Sequence, residues 1–181
     1  MNNQMKKIAV VLLLLISTGP GFAFQNSSEW IRYNSPGGRY SVLLPSQPEP
    51  GTQESATAEG IKFTQYMATL IEGNSVYLIG YFDHVPGTEF SFDRARDGMI
   101  NAFKGTLLSE SAISLGGSPG RDLKIDAKSE AGTVFLVRAR IYDIDKRVYV
   151  LQFIIPKPQD DSEAAAKCAK YFDSFQVTKT P

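Results

Sequence analysis

The sequence predicts an α+β fold, an antiparallel β-sheet covered by two amphipathic helices in an α/β/α sandwich. Three observations carry this reading. Strand-like runs come in adjacent pairs joined by short turns, so the sheet is antiparallel. Two stretches, from Phe92 and from Asp160 or Asp161, repeat their apolar residues at helical spacing. The stretch 133–156, TVFLVRARIYDIDKRVYVLQFIIP, folds back around Asp143-Ile144-Asp145-Lys146 as a long hairpin near the middle of the sheet, because branched and aromatic residues pack well on a pleated surface.

The chain opens with Lys6-Lys7, the apolar run Ile8 to Ile16 and the small residues of Gly21-Phe22-Ala23, the pattern of a Sec signal peptide cleaved after Ala23. The apolar run is too short to span a bilayer, and no cysteine stands near the cleavage site to take a lipid. The protein is therefore expected to be exported to the periplasm or beyond, without a membrane span or lipid anchor. Residues 24–181 then form a single globular domain, long enough to bury its own core.

Residues 29–33 and 40–44 alternate as two short strands about the turn Asn34-Ser35-Pro36-Gly37-Gly38. Residues 45–60, with Pro45, Pro48 and Pro50, show no period and read as an exposed loop. Residues 61–71 and 76–83 form a second hairpin about Glu72-Gly73-Asn74-Ser75. Ser91 caps a helix from Phe92 to about Lys104, with Phe92, Ala95, Met99, Ala102 and Phe103 on one face and Gly105 as its stop. Residues 107–115 are weakly strand-like. Residues 121–127 alternate Leu123, Ile125 and Ala127 with Asp122, Lys124 and Asp126, a strand with one buried and one wet face. After the main hairpin, Asp160 or Asp161 caps a helix to about Phe175, with Glu163 completing a capping box. Its apolar face is Ala164, Ala165, Cys168, Tyr171, Phe172 and Phe175.

Composition excludes several function classes. The chain has 19 basic and 19 acidic side chains; residues 1–23 remove two lysines and no acid, so the remainder carries a formal charge of −2. Near-neutrality disfavours nucleic acid or an anionic membrane as partner. Cys168 is the single cysteine, so no internal disulfide exists, and a monomer is expected.

The segments Gly38-Arg39-Tyr40-Ser41-Val42-Leu43-Leu44-Pro45, Ala95-Arg96-Asp97-Gly98, Leu108-Ser109-Glu110, Ile113-Ser114-Leu115, Pro119-Gly120-Arg121, Val137-Arg138-Ala139-Arg140-Ile141-Tyr142 and Phe172-Asp173-Ser174-Phe175 resemble those of a group of uncharacterised exported bacterial proteins. The order of elements is similar to the PsbP-like superfamily. Its known members bind protein partners, as extrinsic photosystem subunits or as nuclear-import factors that bind a small GTPase. The resemblance implies a binding role, and no functional residue of that superfamily maps onto a position in this chain.

Candidate chemistry is sparse. His84 is the only histidine, and no G-x-S-x-G elbow supplies a nucleophile for it. Cys168 lies on an apolar stripe that disfavours its thiolate. One histidine and one cysteine do not make a zinc site. Asp143-x-Asp145 would begin a calcium loop, but Arg147 occupies the next alternate position. Gly116-Gly117-Ser118-Pro119-Gly120-Arg121 leads into a strand and has no helix dipole for phosphate. No metal or cofactor is expected.

The remaining candidate is a charged sheet face. Alternation sets Asp122 and Lys124, with Asp126, on one side of their strand and Arg138, Arg140 and Tyr142 on one side of the next, where opposite charges pair. On this reading Phe135, Val137, Ala139, Ile141, Tyr149, Leu151 and Phe153 lie beneath a helix, and Arg138, Arg140 and Tyr142 face water as a docking surface. The expected function is a non-enzymatic exported binding or accessory module that docks an envelope or extracellular protein. The alternative is a small-ligand-binding protein with a pocket between sheet and helix, suggested by the many aromatics. A hydrolase using His84 is the third reading.

Overall fold

The computed structural model describes residues 29–57, 60–129 and 132–178, so the expected signal peptide lies outside the described residues. Among the described residues, ten strands and two α-helices follow one another as β1 (Ile31–Ser35), β2 (Tyr40–Leu44), β3 (Glu49–Ala56), β4 (Lys62–Glu72), β5 (Ser75–Asp83), α1 (Phe92–Ala102), β6 (Thr106–Leu115), β7 (Ser118–Lys128), β8 (Val134–Ile144), β9 (Arg147–Pro156), α2 (Ser162–Asp173) and β10 (Gln176–Val177). A short 3-10 turn, Lys157–Gln159, joins β9 to α2. The main sheet has seven strands in the order β3-β4-β5-β9-β8-β7-β6, all antiparallel, and the 133–156 hairpin supplies its centre. The opening hairpin β1-β2 joins β10 in a separate three-stranded sheet.

Each face of the main sheet buries a different core. On one face α1 lays Met99 over Leu123 and Ile125 of β7, Val137, Ala139 and Ile141 of β8, and Val148 of β9. On the other, α2 and the small sheet cover Tyr77, Ile79, Tyr149, Leu151 and Phe153 with Tyr40, Val42, Cys168, Tyr171, Phe172 and Phe175. The helical period read for α2 is largely realised: Ala164, Cys168, Tyr171 and Phe172 are buried, Ala165 is half-buried, and Phe175 is buried just beyond the helix, which ends at Asp173. Tyr171 also donates its hydroxyl to the Leu78 carbonyl at 2.8 Å, which satisfies an oxygen that burial would otherwise leave costly.

Several local expectations change. Residues 45–60 contain a strand, β3, paired with β4 from Glu49↔Thr69 to Ala56↔Lys62. It is an edge strand with no fully buried residue, so it has no apolar alternation to reveal it, and an edge tolerates Pro50. Helix α1 ends at Ala102, two residues early. Lys104 takes the left-handed turn (φ 48°) that was assigned to Gly105, and Gly105 serves close approach instead: a Cβ there would meet Ile125 Cγ2 at 2.7 Å. Helix α2 is capped by Asp161, whose carboxylate accepts from the Ala164 amide at 2.8 Å. Glu163 forms no capping box and instead pairs with Lys167 at 2.7 Å.

The largest correction concerns the faces of the main hairpin. Its turn is the two residues Asp145 and Lys146, both at positive φ (51° and 61°), as the tightest hairpin turns require. That turn sets Arg138 opposite Phe153, Arg140 opposite Leu151 and Tyr142 opposite Tyr149. Tyr149, Leu151 and Phe153 therefore share a face with the arginines and lie opposite to Phe135, Val137, Ala139 and Ile141.

Candidate functional site

The face carrying Arg138, Arg140 and Tyr142 is only partly wet, because α2 lies over it and leaves the arginines half-buried. Tyr142 is 4% exposed, and its ring stacks on Phe175 with centroids 5.8 Å apart. Arg140 donates to Asp122 Oδ2 at 2.9 Å, the cross-strand pair expected from the alternation, and to Asp173 Oδ1 at 2.8 Å, while its guanidinium lies over the Phe172 ring. Burial opposes the charge on Arg140, and the hydrogen bonds to Asp122 and Asp173 outweigh it and raise its pKa.

Lys124 and Arg138 stand directly opposite each other as like charges, and both reach Asp160, just ahead of α2. Burial alone would raise the Asp160 carboxyl, but hydrogen bonds from Arg138 and Lys124 hold it below the usual carboxylate range. Asp126 is taken by Lys157. Four of the five residues singled out from sequence thus enter two ion clusters, Lys124-Asp160-Arg138 just ahead of α2 and Asp122-Arg140-Asp173 at its end, which fasten both ends of the helix to the sheet, while Tyr142 packs beneath it. A partner docking on Arg138 and Arg140 would first have to displace Asp160, Asp122 and Asp173.

The other sheet face also leaves space. A cavity of about 100 Å³ lies between the sheet and the first turn of α1, walled by Phe63, Phe82, Phe90, Met99, Ile141 and Val148. Phe63 and Phe82 pack with centroids 5.1 Å apart, and Phe90 packs edge-on to Phe92 at 5.0 Å, so the wall is a connected aromatic cluster. His84 stands at the rim. Its Nε2 lies 2.8 Å from Asp143 Oδ1, and its ring stacks against Phe90 at 6.0 Å. The backbone amide of His84 donates to the Lys146 carbonyl at 2.8 Å, so the 84–91 loop is fixed to the hairpin turn.

A His-Asp pair beside a cavity is the geometry of a general base, and the question is whether a hydroxyl is available to it. Three hydroxyl residues line the cavity, and each already has a structural bond. Thr57 Oγ1 accepts from the Ile61 amide at 3.2 Å, Thr88 Oγ1 donates to the Val85 carbonyl at 2.8 Å, and Ser91 Oγ accepts from the Arg94 amide as the N-cap of α1. Among the described residues no group of three His, Cys, Asp or Glu side chains is placed to hold a metal. Cys168 is buried in the opposite core, where burial pushes its thiol up to about 11.

Sequence reasoning missed Arg147, which was noted only as a residue that spoils a calcium loop. Its side chain is 11% exposed and donates Nε and Nη2 to Asp83 at 2.6 and 3.0 Å and Nη1 to the Gly37 carbonyl at 2.9 Å. Its guanidinium also lies over the Tyr81 ring, 4.6 Å from the centroid. Tyr149 adds a hydroxyl bond to the Gly38 carbonyl at 3.0 Å. Together these bonds fasten the β1-β2 turn to the end of the main sheet. No local signal announces a contact between residues 110 apart in the chain.

The topology decides what this chain is similar to. A cyanobacterial PsbP from Synechocystis, solved in solution, superposes with a TM-score of 0.57, covering 88% of this chain and 98% of its own at 13% identity. The fold is PsbP-like. The resemblance drawn from the order of elements holds at the level of fold, and at this identity the likeness speaks for the fold alone. A protein of unknown function from Pseudomonas aeruginosa matches with a TM-score of 0.46 at 14% identity, over 85% of this chain and 99% of its own. Neither a protein-family model nor a curated protein matches the sequence. No helix among the described residues is long and apolar enough to cross a membrane.

Proposed function

We propose that the protein is a non-enzymatic, exported binding module that takes the compact apolar end of a small ligand into the cavity between the main sheet and α1. The observation that carries this reading is the cavity itself, about 100 Å³ walled by aromatic and aliphatic side chains, with Thr88, Glu89, Arg94 and His84 at its polar rim. An apolar cavity on the order of 150 Å³ stays dry and accepts benzene. A slightly smaller one fits a branched alkyl group or the edge of a ring, with the polar remainder of the ligand at the rim. Such a division between apolar wall and few polar groups is the general pattern of small-molecule sites. The amino-terminal pattern supports export. Docking of a protein partner, the other binding reading, loses its expected surface because Arg138 and Arg140 are held by three carboxylates of the same chain. Catalysis through His84 gains no support from the cavity, because among the described residues the imidazole is bonded to Asp143 and to none of the hydroxyls of Thr57, Thr88 and Ser91.

The test is a thermal-shift screen of small aromatic and branched aliphatic compounds, repeated with Ala95→Leu, which fills the cavity from α1 without touching the ion network. A ligand at a hundred times its Kd stabilises by about 2.7 kcal/mol. For a domain of this size that is a shift of roughly 5–10 °C. The reading requires a stabilising compound whose shift disappears in Ala95→Leu. A broad screen with no hit, or a hit indifferent to Ala95→Leu, overturns it.

A further inference from the structure

On the α2 side of the main sheet, away from the apolar cavity, the small sheet stands off from the end of β3 and leaves a cleft of about 390 Å³. This volume lies within the usual range of ligand sites. Four tyrosines line it, Tyr33, Tyr40, Tyr66 and Tyr81, one from each of β1, β2, β4 and β5. Tyr66 stacks flat on Tyr81, with centroids 4.9 Å apart and planes at 12°, yet remains 43% exposed. A large aromatic ring left that open on a supported stack is a ready platform rather than core. The far side of Tyr81 is braced by the Arg147 guanidinium, so the platform is rigid. Gly37 keeps the rim low, for a Cβ there would come within 2.8 Å of Tyr81 Oη.

The chemistry of the lining narrows the occupant. None of the lining residues is charged, and Pro36 and Pro50 at the rim bring no backbone N–H. Among the described residues, the hydroxyls of Tyr33, Tyr66 and Tyr81 have no hydrogen-bond partner. The cleft therefore offers ring faces and a few O–H donors to a neutral ligand. A saccharide would need carboxylate, amide or guanidinium groups to grip its paired hydroxyls, and the lining has none. An extended proline-containing chain needs what is present: its rings pack on aromatic faces, and its unpaired carbonyls accept from phenols. One turn of such a chain spans about 9 Å and pays little ordering entropy on binding because it is already extended.

We propose that this tyrosine cleft is a docking site for a neutral, proline-containing extended segment of a partner protein. The site is independent of the apolar cavity beneath α1, and its partner is recognised by stacking on Tyr66 rather than by the arginines of the ion network.

The test is an NMR titration of the full chain with an acetylated and amidated peptide, Pro-Pro-Ala-Pro-Pro-Ala-Pro, beside an all-alanine peptide and a neutral oligosaccharide of similar length. Saturable shifts are expected at Tyr33, Thr52, Tyr66 and Tyr81 with the proline peptide, and none at Ala95 or Met99. Tyr66→Ala should weaken binding about tenfold or more. Thr52→Arg, on the exposed edge strand directly opposite Tyr66, should do the same by occupying the platform, without altering the core. Thr52→Arg also keeps the proposal testable if Tyr66→Ala unfolds. The proposal is overturned by the absence of saturable shifts at millimolar peptide, by binding that survives both substitutions, by equal binding of the alanine peptide, or by cleft binding of the oligosaccharide alone.

Discussion

Replacing Arg147 by methionine tests whether the small sheet is held to the main sheet by this one side chain. Methionine keeps most of the aliphatic stem and removes the guanidinium. The hydrogen bond to the Gly37 carbonyl involves a charged donor that is almost wholly buried, and such bonds contribute roughly 1.5–3 kcal/mol. The pair with Asp83 contributes much less, because Asp83 is 63% exposed and solvent screens it to about 0–1 kcal/mol. The contact over Tyr81 adds roughly 0.5–2 kcal/mol, part of which the methionine sulfur restores. The net loss is about 2–4 kcal/mol, read as a fall in Tm of roughly 5–15 °C for a domain of this size. Trp30 reports the transition by fluorescence, since it packs edge-on to Tyr77 at 5.8 Å where the small sheet meets the main one.

Arg147→Lys should lose about half as much, because an ammonium cannot reach carbonyl and carboxylate together. Asp83→Asn should cost at most about 1 kcal/mol. The hydrogen bonds from Arg147 hold the Asp83 carboxyl below its usual pKa, so its small contribution is complete above the ordinary carboxylate range and is lost as pH falls through the lowered folded value. An Arg147→Met protein within 0.5 kcal/mol of the parent would refute the clamp. An Asp83→Asn protein as damaged as Arg147→Met would refute the assignment of its strength to the Gly37 carbonyl.

Asp160→Asn removes the anion that Lys124 and Arg138 share and leaves two like charges face to face, which should destabilise by about 1–2 kcal/mol in urea titrations at pH 7. Because the folded Asp160 carboxyl sits below its ordinary value, the gap between parent and variant should be constant above about pH 5 and should close below pH 4. Equal gaps at pH 3 and pH 7 would show that the charge is irrelevant. Cys168, with its thiol pushed up to about 11 by burial, should resist disulfide-exchange reagents in the folded protein and react on unfolding in denaturant. Rapid native labelling at pH 8 would place the thiol outside the core.

What could be read from the sequence followed the range of the interaction involved. The α2 stripe was legible because Ala164, Cys168, Tyr171, Phe172 and Phe175 lie within a few turns and answer to one local period. The hairpin around Asp143-Ile144-Asp145-Lys146 was legible for the same reason, although its turn is only Asp145 and Lys146. Which face its strands share was not, since a one-residue change of register flips every side chain and the decision rests on the turn. β3 was illegible because an edge strand buries too little to show a pattern. Strand alternation put the charges of β7 and β8 on one face, and the register then sets Asp122 opposite Arg140 but Lys124 opposite the like charge of Arg138. The third member of the Asp122 and Arg140 cluster, Asp173, comes from a helix 33 residues away, and with it the wet face became the floor beneath α2. His84 and Asp143, 59 residues apart, meet only because β5, β9 and β8 are neighbours in the finished sheet, and Arg147 meets Gly37 only because the turn of the small sheet packs on the end of the main one.

The two faces of the sheet differ in how much cover the chain supplies, and this locates the space for binding. Seven strands about 4.8 Å apart span roughly 29 Å. An eleven-residue helix is about 16 Å long and 10 Å wide, so α1 alone cannot close its face. Arg96, bonded to Glu110 at 2.9 Å, with Arg121 bridging the same carboxylate and lying over Phe92, draws α1 toward β6 and β7. The void consequently opens on the other side of the helix, over β5 and β9, where the 84–91 loop and Phe90 close it only in part. The opposite face has α2 and a second sheet to cover it, and its ion network fixes both ends of the helix. Space there survives where the small sheet stops short of β3 and β4, at the exposed ring of Tyr66, and again, as a cleft of about 650 Å³, where β10 stands off from Leu115, Ile144 and Tyr149. Both proposed sites therefore follow from one property of the fold, a broad sheet with fewer covering residues than its faces need.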